Sequence, residues 1–203
     1  MAIDLSLLPA SNGQSVDASL FYRFGFGRRE QPPFGCVHHA FEHYALKDPE
    51  AIAVEHLDAT ITYGELDRRA NALAHRLRAM GVVPGARVCL LVQRSIAMVV
   101  GIVSILKAGG TYVPLDGGIV TDSTLGFIIS NAECALVLTL TDYVHRVLDA
   151  GIPVINLDEE MKTGGGDPTR VQDLSSPDDS AYIIYTSGKP QPPFQIDSAN
   201  NEP

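Results

Sequence analysis

The sequence predicts an α/β fold, a layered and largely parallel sheet with flanking helices, and two observations carry that prediction. Strand-type and helix-type segments alternate from Cys36 to Gly188, the pattern of right-handed crossovers between parallel strands. The run Val88 to Val92 is apolar throughout, as suits a strand covered on both faces.

Each element has its own signal. Val37, Phe41 and Tyr44/Ala45 recur at helical spacing, and Asp48-Pro49 stops that helix. Ala51 to Glu55 alternates as a strand, Asp58-Ala59 turns the chain, and Thr60 to Thr62 is a short strand. Thr62-Tyr63-Gly64-Glu65 reads as a capping box, with Thr62 as N-cap. The helix behind it puts Leu66, Ala70, Leu73, Ala74 and Leu77 on one face and ends near Gly81. Strand Val88 to Val92, helix Ser95 to Ala108 and strand Tyr112 to Leu115 follow. A helix over Asp122 to Asn131, strand Ala135 to Thr139, a helix over Thr141 to Ala150 and strand Pro153 to Leu157 come next. A Gly-rich loop, Thr163 to Asp167, precedes the last strand, Ala181 to Thr186. Residues 1–35 carry FGFG and QPPFG turn signals and read as an extension or linker. Lys189 to Pro203 has four prolines and almost no apolar periodicity, and is expected to be disordered.

Composition narrows the function. The 203 residues are 45% hydrophobic and 19% charged, with a net charge of −9. Nothing basic clusters to neutralise phosphates, which argues against a nucleic-acid partner. Three widely spaced cysteines, Cys36, Cys89 and Cys134, read as reduced thiols of a cytoplasmic protein rather than a disulfide framework. No signal peptide is legible, and the most apolar helix, Ile96 to Leu106, is about half of the ~20 residues a membrane span needs.

Chemistry concentrates near the last strand. Thr186-Ser187-Gly188 is the kind of turn that offers hydroxyls and backbone N–H groups to phosphate. It then runs into Lys189-Pro190-Gln191-Pro192-Pro193. Proline removes the N–H and fixes φ, so this continuation cannot build a nest of amides. His38, His39 and His43 are the one tempting metal cluster; without a further ligand nearby they read as a solvated helix face, and no metal site is expected. Lys107 near a helix C-terminus complements the helix dipole. No Ser/His/Asp constellation and no paired carboxylates stand out, so no catalytic residue is assigned.

Three segments, Ile61 to Val88 (ITYGELDRRANALAHRLRAMGVVPGARV), Ile105 to Asp116 (ILKAGGTYVPLD) and Ala181 to Gly188 (AYIIYTSG), together resemble the adenylation domains of nonribosomal peptide synthetases and other adenylate-forming enzymes. The resemblance covers residues 36–188 and implies an incomplete N-terminal subdomain of such an enzyme, preceded by the 1–35 extension and followed by a divergent 189–203 tail. Family members use ATP and Mg²⁺ to turn an amino or other carboxylic acid into an acyl-adenylate, before thioester transfer to the phosphopantetheine of a carrier domain. Thr186, Ser187 and Gly188 match the start of the family's phosphate loop, with Lys189 beside them. The family continues Ser/Thr-Thr-Gly, one variable residue, then Pro-Lys-Gly; here that step is skipped, and Gln191 and Pro192 stand where the loop lysine and glycine would be.

In relatives the acyl pocket, the ribose-binding aspartate and the C-terminal subdomain lie beyond this loop. The resemblance thus implies a truncated fragment that is inactive alone. Two other readings remain: one half of a split ligase, or a non-catalytic fragment that docks on a full-length synthetase or weakly holds nucleotide. Uncovered apolar faces are expected to favour self-association.

Overall fold

Cys36 opens the first helix, α1 (Val37–Lys47), and the chain then doubles back as an antiparallel pair, β1 (Ile52–His56) and β2 (Ala59–Thr62). The computed structural model describes residues 33–163, 166–186 and 194–197. The chain divides into two units between Pro33 and Phe34, and the described residues lie, Pro33 apart, in the second. Most of the extension expected over 1–35 is therefore outside the described residues. Its last positions already pack: the Phe34 ring lies 5.3 Å from that of His43.

Thr62 caps α2 (Tyr63–Ala79), its Oγ1 accepting from the Glu65 N–H at 3.2 Å. The reciprocal half of the expected capping box is replaced by an ion pair. The Glu65 carboxylate accepts from Arg68 Nε and Nη2, both at 2.8 Å, and from Arg69. First the Arg68 hydrogen bond and then Arg69, working against partial burial, hold the Glu65 carboxyl down at about 2. Because the folded value lies below the ordinary 4.5, the unfolded chain takes up this proton first. Stability from the trio is thus complete above pH 4.5 and lost as pH falls toward 2. A Glu65→Gln variant is expected to have a lower Tm than the wild type at neutral pH, with the gap closing as the pH approaches 2. A gap independent of pH would contradict this.

All five apolar residues of the expected α2 face are buried. Leu66, Leu73, Ala74 and Leu77 belong to the core on one side of a four-stranded parallel sheet of order β4-β3-β5-β6. The strands are β3 (Arg87–Val92), β4 (Thr111–Asp116), β5 (Leu136–Thr139) and β6 (Val154–Asn156). In central β3, Val88, Leu90 and Val92 face α2 and α3 (Ile96–Ala108), whereas Cys89 and Leu91 face α4 (Asp122–Asn131). Covering on both faces explains the continuous apolar run. Cys36, Cys89 and Cys134 are free thiols; burial pushes the Cys134 thiol up to about 11.

Caps set the crossovers. Ser95 Oγ accepts from the Met98 N–H at 3.1 Å to start α3, and Gly109, left-handed at φ 90°, ends it, with the Gly110 N–H donating to Ile105 C=O at 2.9 Å. That turn needs glycine because a side chain is strained at positive φ.

Two expected elements differ. The segment Thr141 to Ala150 is helical only as a 3₁₀ turn over Thr141–Arg146. It is held from outside: Asp158 Oδ2 accepts the Thr141 N–H at 2.8 Å, and the Arg146 guanidinium donates to Asp122 Oδ1 and to the Gly117 and Val120 carbonyls. The strand expected to reach Leu157 stops at Asn156, and Leu157 begins a helix, α5 (Leu157–Thr163).

Past Gly166 the chain crosses without helix or strand to β7 (Ile183–Thr186). Of the tail expected to be disordered, the described part is Phe194–Asp197, which forms β8 antiparallel to β7. Phe-Gln-Ile-Asp alternates apolar and polar, a strand pattern too short to outweigh the neighbouring prolines in a sequence reading.

Candidate functional site

Thr186 is the last residue of β7 and is exposed. The strand is held by its first residue, Ile183, 2% exposed in the core, and by Tyr185, whose hydroxyl donates to Asn131 Oδ1 at 2.6 Å. A parallel bridge between Tyr112 and Tyr182 aligns β7 with β4. Thr186 therefore stands at the carboxyl end of the parallel sheet, the end at which open α/β sheets receive ligands. The Asp116–Gly118 turn closes β4 at the same end, with Asp116 Oδ1 accepting from the Gly118 N–H at 2.8 Å. Ser187, Gly188 and Lys189, the other expected site residues, lie outside the described residues.

The histidines do not form the solvated face expected of them. His38 is buried at 5% exposure, and His39 Nε2 lies 2.6 Å from Asp173 Oδ2; His43 is exposed. Burial and then the neighbouring His39 hold the His38 ring below the ordinary histidine value, against the pull of Asp173. Asp173 is pushed up by burial but held down at about 2 by the Ser175 N–H and by His39 and His38. The side chains of His38, His39 and Asp173 bring ligand-type atoms within 4.8 Å of one another. The hydrogen bonding nevertheless specifies a clasp. His39 Nδ1 accepts the Cys36 N–H at 3.2 Å, which puts the ring proton on Nε2, where it is donated to Asp173. A cation at Nε2 would have to displace that proton while Nδ1 still faced a donor.

Lys107 is the larger correction. Rather than merely complementing a helix end, it is 3% exposed, and Nζ donates to Glu42 Oε1 at 2.5 Å and Asn71 Oδ1 at 2.9 Å. Asp67 Oδ1 lies 2.9 Å away as an ion pair without hydrogen-bond alignment. Arg170 completes the cluster, donating to Glu42 Oε2 at 2.6 Å. Burial pushes the Glu42 carboxyl up, but the Lys107 hydrogen bond and the charges of Lys107 and Arg170 carry it below its ordinary value. Helices α1, α2 and α3 thus meet on one buried cation. Sequence reading missed it because Glu42 lies 65 positions from Lys107 and 128 from Arg170.

A cavity of about 240 Å³ lies between the α1 N-terminus, Gly109-Gly110 and Ser175 to Tyr182. It opens at the amino ends of β4 and β7, away from Thr186. Among the described residues no helix is long and apolar enough to cross a membrane.

Residues 41–188 match the AMP-binding enzyme family, and the chain belongs to that family. An adenylate-forming reductase of Coprinopsis cinerea is 46% identical over 180 residues, covering 88% of this chain and 18% of the relative. An AMPPNP-bound form of a nonribosomal peptide synthetase superposes with a TM-score of 0.77 at 27% identity, over 89% of this chain and 19% of that one. A fatty acyl-adenylate ligase from L. pneumophila, in complex with acyl adenylate and pyrophosphate, gives 0.66 at 27% identity, over 81% and 30%. The chain spans less than a third of each of these proteins. The α/β fold with a parallel sheet flanked by helices is that of adenylation domains.

Proposed function

We propose that this chain carries the start of the phosphate-binding side of an adenylate-forming enzyme, and that by itself it does not complete the reaction. The observation that carries the first half is the position of Thr186 at the carboxyl end of β7, aligned with β4 and followed in sequence by Ser187, Gly188 and Lys189. In the reaction a carboxylate oxygen attacks the α-phosphorus of ATP in line, the bond to the bridging oxygen breaks, and pyrophosphate leaves with the electron pair. Such chemistry needs preorganised donors around the β- and γ-phosphates. The Thr186 and Ser187 hydroxyls and the amides of the turn are suited to that contact.

Mg²⁺, when bound with the nucleotide, would neutralise phosphate charge. The one trio of ligand-type side chains among the described residues, His38, His39 and Asp173, clasps the α1 N-terminus, away from Thr186, and does not fit that role. Thioester transfer to a carrier-domain phosphopantetheine belongs to the same reading of the family.

The second half rests on Lys189-Pro190-Gln191-Pro192-Pro193. Losing one preorganised donor typically costs a factor of about 10² to 10³ in rate, and here a cation and several amides are replaced together. Exchange of labelled pyrophosphate into ATP, run over a panel of amino and aryl acids with the purified chain, is expected to stay at background. Exchange that disappears in a Thr186→Ala/Ser187→Ala variant would instead make the chain one half of a split ligase. For the phosphate contact itself, ATP is expected to give weak, saturable NMR shifts at Thr186 that AMP does not reproduce. Equal shifts with AMP would remove the β/γ-phosphate assignment.

A further inference from the structure

The strand that ends in Thr186 gains little from the ladder beside it. Its link to β4 is an isolated bridge, in which the Tyr112 N–H donates to Ala181 C=O at 3.1 Å. Amides point alternately to the two sides of a strand, so the next β4 donor on that side belongs to Pro114, which has none. Residues 166–180, which lead into β7 without helix or strand, are instead tied down along their length. Asn71 Nδ2 donates to Pro168 C=O at 3.2 Å, and His75 Nε2 lies 3.0 Å from Thr169 C=O. Arg170 pairs with Glu42 and Asp173 with His39, each at 2.6 Å. Val171 is 6% exposed and belongs to the core on the α2 side of the sheet, and Thr111 Oγ1 donates to Ser180 C=O at 2.7 Å.

We propose that residues 166–180 form a strap that positions the phosphate-loop strand, with its clasps on α1 and α2, rather than the β4 ladder, setting where Thr186 stands. Arg170 and Asp173 are positioning residues in this arrangement, and through Glu42 the strap is joined to the buried Lys107 of α3. The functional meaning rests on the reading of Thr186 above; the mechanical claim does not. Ile183, Tyr185 and the β8 pairing are the competing anchors, so the test must ask which set governs β7.

Hydrogen exchange of the purified chain, without nucleotide, separates them. In an Arg170→Ala/Asp173→Ala double variant, amides 181–186 are expected to exchange about tenfold faster, the scale of two partly exposed ion pairs lost together. Strands β3 and β5 should keep wild-type rates. Faster exchange over 166–180 with 181–186 unchanged would overturn the proposal, because β7 would then be held by its own contacts. A uniform rise that includes β3 and β5 would overturn it too, as ordinary loss of global stability. Should the double variant not fold, Arg170→Ala alone is judged on the same peptides, with an expected rise of about threefold. Because no nucleotide enters, this result stands or falls apart from the pyrophosphate exchange.

Discussion

A Lys107→Met variant is expected to lose about 3–5 kcal/mol of unfolding free energy, the scale for breaking a buried ion pair by removing one partner. Methionine fills the space of the lysine stem, so the loss is one of charge and hydrogen bonds rather than of volume. Glu42 is 8% exposed and would keep only Arg170, whose side chain is 62% exposed and correspondingly weak as a partner. Asp67 would lose its cation, and Asn71 Oδ1 its donor. Burying a carboxylate with incomplete partners is the larger cost. Urea unfolding followed by circular dichroism checks this, with an unchanged m-value to show that the native state is the one affected. A loss below about 1 kcal/mol would place the cluster with exposed ion pairs. By the same logic Glu42→Gln should cost less, because Lys107 retains Asp67 and Asn71.

Local order is legible where the signal is local. The α2 face, the Thr62 cap, the end of α3 at Ala108 and the helix over Asp122 to Asn131 all act within one turn or one strand, and the structure has them where the pattern puts them. The Thr141 turn is not legible because distant groups, Asp158 and Asp122, decide its conformation. Leu157 reads as the end of a strand because it is apolar, yet Asp158, Glu159 and Glu160 after it are a first-turn helix signal. The site divides in the same way. The place of Thr186 at a strand end follows from a local apolar run, whereas Lys107, His39 and the strap anchors depend on pairings across the whole fold. A lysine at a helix C-terminus satisfies a local rule, and nothing in its neighbourhood announces Glu42.

Leu90 and Gly101 offer a test of how closely α3 approaches the sheet. Leu90 is fully buried in central β3, paired with Pro114 of β4 and Leu138 of β5. A Cβ at Gly101 would come within 3.0 Å of Leu90 Cδ1 and 3.3 Å of Leu157 Cδ1. Leu90→Ala alone is expected to cost about 3–5 kcal/mol, since it removes core volume that rigid neighbouring strands cannot recover. Gly101→Ala alone sets a gain in helix propensity of about 1 kcal/mol against overpacking of about 1–3 kcal/mol, for a small net loss. In the double variant the truncated Leu90 has vacated the atom that the new Cβ would meet. The overpacking term largely disappears, the propensity gain stays and part of the cavity is filled. The pair should therefore be more stable than the sum of the single changes by about 1–2 kcal/mol, a coupling of the size seen for residues in contact. Additive losses would mean that Leu157, not Leu90, limits the approach of α3, and Leu157→Ala would then be the change that lets the helix tolerate Gly101→Ala.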